Sequence, residues 1–154
     1  DGVAVTNYHS LEDGVYALAT FSTGESYPVE SVLYYDTEID IAVVRLAKTS
    51  ITGKEVSAFS YLELAGTEDV SSTNREVDRY ALPCVMNTAD ISQGSSGGAL
   101  LNVYGQVIAV TSGAYTYGNS MYLAVPVDPV MSADLTSHSW TLKEVKQMEA
   151  AKGD

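Results

Sequence analysis

Cysteine is almost absent: Cys84 is the only one in 154 residues. No disulfide can close within the chain, so a disulfide-stapled architecture is excluded. No histidine stands near Cys84 in the sequence to activate it, and it reads as a small core residue. Cations are also scarce. Eight Lys and Arg face twenty Asp and Glu, for a formal net charge of −12 and a pI near 4.3. A face that binds phosphates needs clustered positive charge, so nucleic acid is excluded as a partner, while the acidic surplus names no partner of its own. No apolar run reaches membrane length and no signal-peptide pattern is present, so the compartment is not encoded here. Repeats, low-complexity runs and a PDZ-like segment are likewise missing. No metal or cofactor is expected.

What is present points to strands. Hydrophobic residues make up 45% of the chain, with eleven tyrosines and many valines and threonines, which suit a pleated, half-buried surface. Mean hydropathy is +0.01, as in a globular chain long enough to bury a core. Residues 2–8 read as a strand ending at His9, and Val15 to Phe21 as a second. Ser22-Thr23-Gly24-Glu25 is a hairpin signal, followed by a return strand from Tyr27 to Tyr35 in which Pro28 suits an edge. Asp36 to Ile39 turns the chain into an almost wholly apolar strand opened by Asp40. Lys48 to Val70 is harder to assign, with Tyr61 to Leu64 a short strand or bridge, and Tyr80 to Asn87 is apolar again. Strands follow from Ala99 to Asn102, Gln106 to Ser112 and Met121 to Val127. Near the C-terminus, Thr141-Leu142-Lys143-Glu144 fits a capping box, and Leu142, Val145 and Met148 form a narrow apolar stripe of a helix.

Chemistry concentrates in Gln93-Gly94-Ser95-Ser96-Gly97-Gly98-Ala99-Leu100. A nucleophilic serine needs a sharp turn that presents Oγ, and backbone N–H groups free to meet a developing oxyanion. Glycines permit both. The register makes Ser96 the nucleophile and the N–H groups of Gly94 and Ser96 the oxyanion donors; a Gly/Ser turn joining two strands is the plainer alternative. A serine also needs a base, and the base an orienting carboxylate. Of the two histidines, His138 lies in a polar stretch and reads as a surface residue. His9 ends an apolar strand and Asp40 opens another. Taken singly, His9 could be a strand-end residue and Asp40 a turn residue, but together they run His, Asp, Ser with matching flanks.

Thr6-Asn7-Tyr8-His9, Asp40-Ile41-Ala42-Val43, Gly94-Ser95-Ser96-Gly97-Gly98-Ala99-Leu100 and Tyr122-Leu123-Ala124-Val125-Pro126-Val127 resemble the trypsin-like serine proteases. They are most similar to the bacterial HtrA/Deg-type branch, with its T-N-x-H-V, D-x-A-V-L, G-N-S-G-G-P-L and F-A-I-P segments. The resemblance spans roughly residues 1 to 130. It implies an all-β, two-lobed antiparallel β-barrel and a serine endopeptidase acting through an acyl-enzyme, with His9, Asp40 and Ser96 as the triad. It implies a protein or peptide substrate, and an extracellular or cell-envelope setting in a bacterium. One protease domain over 1–154 is expected: an N-terminal lobe at about 1–50, a linker and C-terminal lobe at about 51–135, and a helix at about 140–152 packed on the second lobe. By the same resemblance Asp90, six residues before Ser96 in the sequence, is the floor of the specificity pocket, where acid selects Lys or Arg. Thr111-Ser112-Gly113 and the region around Ser120 resemble the pocket walls, with Gly113 leaving the entrance open. A solvated loop carboxylate is the other reading of Asp90, and Deg-type enzymes usually have a small apolar residue there. Ser95 stands where zymogen-activated relatives carry an aspartate, so that activation device is absent.

The chain departs from the family in strand count. Only eight residues precede His9, where two strands are normal, and near Val70 and Ser71 a further strand and a Gly/Pro loop are missing. About four strands per lobe are fewer than a closed barrel needs. The expectation is open edges, and with them oligomerisation through strand pairing, strands supplied by segments outside this sequence, or a damaged fold. Two other functions compete with proteolysis. One is an inactive module of the same fold that binds a peptide or partner protein. The other is a hydrolase of α/β type, whose Gly-x-Ser-x-Gly elbow and last-placed histidine match poorly.

Overall fold

The computed structural model describes residues 1–68, 82–89, 91–92, 94–114 and 122–153. Two four-stranded antiparallel sheets, each a curled half-barrel, make up the body. The first contains β1 (Val3–Thr6), β2 (Leu18–Thr20), β3 (Ser26–Asp36) and β4 (Ile41–Leu46), in the order β1-β4-β3-β2. The second contains β5 (Val85–Asn87), β6 (Ala99–Leu101), β7 (Val107–Ala114) and β8 (Tyr122–Pro126), in the order β5-β8-β7-β6. Two helices follow, α1 (Asp128–Ser132) and α2 (Leu142–Ala150). An α/β-hydrolase is thereby ruled out, and among the described residues the count of four strands in each lobe agrees with the sequence reading.

The near-continuous apolar run of β4 has a structural cause. Ile41 and Val43 face the second sheet, where they meet Leu123 and Val125 of β8 together with Cys84 and Val130. Val44 and Leu46 face the opposite way, into the first lobe with Tyr8, Tyr27 and Val32. A strand with a core on each side cannot alternate with polar residues. β8 repeats the arrangement, with Ala124 turned to Val85 and Ala109 inside its own lobe. Fully burying each Val or Ile contributes about 1.5–3 kcal/mol, so the shared core between β4 and β8 holds the lobes back to back.

The strands bend at bulges. β3 shifts register between Val29 and Ser31 and again between Val32 and Tyr34, and β7 shifts between Thr111 and Gly113. An extra residue of this kind increases local twist and re-aims a side chain. At the second β3 shift, Val32 exchanges backbone hydrogen bonds with Trp140, N–H to O at 2.7 and 3.0 Å.

α2 packs on the first lobe, not the second: Leu142 and Val145 join Tyr8, Tyr27, Val32, Val44 and Leu46. The open first sheet leaves apolar surface that the stripe of α2 covers. The capping box is present as read, with Thr141 Oγ1 accepting from the Glu144 N–H and the Glu144 carboxylate accepting from the Thr141 N–H. Pro28 is not at an edge either, because β3 lies between β4 and β2. Its carbonyl accepts from Ala47 at 2.9 Å, and lacking an N–H it cannot return the bond. Within Tyr61 to Leu64 no strand forms, and Leu64 alone pairs in parallel with Val107. His138 is exposed and stacks on Trp140 with ring centroids 4.3 Å apart. No helix among the described residues is long and apolar enough to cross a membrane.

Cys84 is fully buried, and burial pushes its thiol up to about 11. The thiolate is the reactive form. A thiol-reactive disulfide reagent at about pH 8 should therefore leave the folded chain untouched and modify it fully in denaturant. Stoichiometric modification under native conditions would show that the core between the lobes opens.

Candidate active site

His9 does not end a strand. β1 stops at Thr6, and a single 3₁₀ turn, Tyr8–Ser10, carries the histidine. Tyr8 anchors this turn by burying its ring and stacking on Tyr35 at 5.5 Å between centroids. The Tyr8 side chain thus points into the lobe, and the next residue points out toward the cleft.

Asp40 arrives from the other side. The Asp36 carboxylate accepts from the N–H groups of Glu38 and Ile39 at 2.9 and 3.2 Å, forming an Asx turn that ends β3. Asp40 closes the turn with φ of +56°, a left-handed conformation that aspartate tolerates better than most residues. Its neighbours Ile39 and Ile41 are buried in the shared core, which holds the turn in place. Asp40 itself is 4% exposed.

The two side chains meet. His9 Nδ1 lies 2.7 Å from Asp40 Oδ2, and the His9 backbone N–H donates to Oδ1 at 2.9 Å. A carboxylate accepts, so Nδ1 carries the hydrogen of this bond, and in the neutral imidazole Nε2 is then the acceptor. A third contact comes from the opposite lobe: Ser112 Oγ donates to Asp40 Oδ2 at 2.6 Å. Sequence reading placed Ser112 only in a pocket-wall segment and missed this contact. Ser112 is the extra residue of the β7 bulge, since Thr111 pairs with Ala124 and Gly113 with Leu123. Simple alternation cannot predict which way such a residue points. The signal available was the glycine that follows it, a frequent mark of a bulge.

The serine loop is built from short turns. Ser95 N–H donates to the Ser92 carbonyl and Gly98 N–H to the Ser95 carbonyl, both at 3.0 Å. Gly94 has φ of +95°, which a side chain would strain. The Ser95 hydroxyl turns back into the loop and accepts from Ser92 N–H at 3.3 Å, whereas Ser96 is exposed at the tip. The loop is fastened to β7, with Gly97 N–H on the Thr111 carbonyl at 3.0 Å and Thr111 N–H on the Gly98 carbonyl at 2.8 Å. Among the described residues, no hydrogen bond engages the N–H of Gly94 or Ser96, and none joins Ser96 Oγ to His9. Thr111 is buried. A Cβ at Gly113 would meet open space. Asp90 and the region around Ser120 lie outside the described residues. No group of three or more His, Cys, Asp or Glu among the described residues is arranged to hold a metal.

Comparison with known proteins bears on the fold and the family. A Do-like serine protease HtrA of Lactococcus lactis subsp. cremoris is 28% identical over 144 residues, covering 75% of this chain and 35% of its own length. A probable periplasmic DegP-like serine endoprotease of Halomonas elongata is 26% identical, over 85% of this chain and 32% of its own. The anti-sigma-I factor RsgI9 of Acetivibrio thermocellus is 25% identical, over 90% of this chain and 22% of its own. The chain thus spans about a third or less of the length of these relatives. Among solved structures, the HtrA-type protease AlgW with a decapeptide superimposes with a TM-score of 0.70 at 15% identity, over 99% of this chain and 49% of that one. This supports the fold. Residues 1–110 match the trypsin-like peptidase domain, and the chain belongs to that family.

Proposed function

We propose that this chain is a serine endopeptidase unit in which Ser96 is the nucleophile, His9 the general base and Asp40 the orienting carboxylate. The observation that carries the reading is the buried Asp40 carboxylate holding His9 Nδ1 at 2.7 Å. Ser96 Oγ attacks the scissile carbonyl carbon as His9 Nε2 takes its proton. The tetrahedral oxyanion is met by the N–H groups of Gly94 and Ser96. The C–N bond then breaks, His9 returns the proton to the leaving amine, and an ester to Ser96 remains. Water, activated by the same base, hydrolyses it. Ser112 holds the carboxylate that holds the imidazole, so it acts as a positioning residue.

The second reading, an inactive module of the same fold that binds a peptide or partner protein, is favoured by one observation. The relative matching 90% of this chain is named as an anti-sigma factor, not a peptidase. Covalent labelling separates the two. A fluorophosphonate should modify the native chain at one serine, and Ser96→Ala should abolish both labelling and peptide hydrolysis while Ser95→Ala retains them. An unlabelled, folded chain would select the binding module.

Ser112→Ala removes a buried hydrogen bond to a charged group and should lower stability by about 1.5–3 kcal/mol in urea titrations. It should also slow labelling of Ser96. An unchanged urea midpoint and labelling rate would remove Ser112 from the machinery.

Specificity is proposed from the sequence resemblance. With Asp90 at the pocket floor beside Thr111 and Gly113, cleavage should follow Arg or Lys, because a desolvated carboxylate needs a cation. Asp90→Ala should then cost basic substrates about 2–5 kcal/mol and shift preference to apolar residues. Identical cleavage profiles across a peptide library would take Asp90 out of the pocket.

A further inference from the structure

Between the serine loop and the His9–Asp40 pair lies a side chain that neither the triad nor the oxyanion donors include. Asn7 follows β1 and precedes the 3₁₀ turn. It is fully buried at 0% exposure, an unusual place for an amide unless its polar atoms are satisfied. Both ends are satisfied, by different parts of the site. Asn7 Nδ2 donates to the Asp40 carbonyl at 3.0 Å, and Asn7 Oδ1 accepts from the Gly97 N–H at 2.7 Å. One amide therefore touches the backbone of the residue that orients His9 and the backbone of the residue that follows Ser96.

The chemistry of the bridge restricts what can stand there. It needs a donor and an acceptor on one short, planar group. Aspartate would keep the acceptor for Gly97 and lose the donor, placing negative charge against the Asp40 carbonyl. Alanine would lose both. The two tethers are also unequal. Gly97 N–H is shared with the Thr111 carbonyl at 3.0 Å, so the loop stays fastened to the second lobe without Asn7. Its registration against the first lobe is what Asn7 supplies. The packing is close there as well, since a Cβ at Gly97, where φ is +84°, would lie 2.8 Å from Thr6 Oγ1. On the other side, the Asp40 carbonyl takes a second bond from Tyr8 N–H at 3.3 Å, so Asn7 is the shorter of two holds on a residue of positive φ.

We infer that Asn7 is a positioning residue: its side-chain amide sets the nucleophile loop of one lobe in register with the His9–Asp40 pair of the other. The bridge is independent of chemistry, whereas its catalytic consequence rests on the protease reading above.

The test uses the full chain and the variants Asn7→Asp and Asn7→Ala, with two readouts. Amide hydrogen exchange, followed by NMR, reports the bridge. Gly97 N–H should be slow to exchange in the wild-type chain. It should exchange about tenfold faster in Asn7→Ala, as expected for a lost buried hydrogen bond, and stay protected in Asn7→Asp, which keeps the acceptor, with β4 and β8 unchanged in both. Turnover reports the consequence. In both variants kcat should fall by about 10–100-fold with KM within about twofold, as for a misplaced nucleophile, and the rate of fluorophosphonate labelling at Ser96 should fall in parallel. Fast exchange of Gly97 in the wild type overturns the bridge without reference to any variant. Uniformly faster exchange across all strands in both variants makes Asn7 a stability residue only, and overturns the positioning role. Selective loss at Gly97 with unchanged kcat overturns the catalytic consequence. Selective loss at Gly97 in a chain that never labels at Ser96 leaves the bridge standing and removes the protease reading instead.

Discussion

The site depends on one buried carboxylate at the seam between two lobes. Asp40 is almost inaccessible to water, and an uncompensated charge in that position would be costly. It is compensated from both sides. His9 contributes its imidazole and its backbone N–H from the first lobe, and Ser112 contributes a hydroxyl from the second. The lobes therefore have to be correctly apposed for Asp40 to be tolerated at all. The pairing of His9 with Asp40 is then a consequence of folding.

Apposition comes from the two strands that carry apolar residues on both faces. β4 and β8 each contribute one face to their own lobe and the other to the shared core. Half-barrels of four strands have less interior of their own than closed barrels, and here the shortfall is covered from outside the sheets. The first lobe is covered by α2. The seam is covered by Cys84, Val130 and the side chains of β8. The outer strands β1, β2, β5 and β6 remain at the sheet edges.

Much of this was legible in the order of residues. Alternation and hairpin signals located most strands to within a few positions, and the almost wholly apolar run after Asp40 located β4. The capping box at Thr141 was local chemistry and was read correctly. Local patterns failed where a partner decided the outcome. The stripe of α2 showed that the helix would bury Leu142 and Val145, but not which lobe would receive them. Pro28 signalled an edge because proline cannot complete a ladder, yet it lies in the interior strand β3, and its gap falls opposite Ala47, just past the end of β4.

By itself the sequence determined the residue types of the site and their order along the chain. A serine among glycines, a histidine after an apolar strand and an aspartate before another are each set by short-range requirements on turn geometry and strand burial. Only the tertiary structure decided which polar groups meet across the seam. Ser112 reaches Asp40 because a bulge in β7 turns an otherwise alternating side chain, and Asn7 spans two loops that lie 33 and 90 residues away in sequence. Contacts of that kind carry no local signature. Their partners are chosen by the packing of β4 against β8, which is set by the fit of whole faces and not by any single stretch of chain.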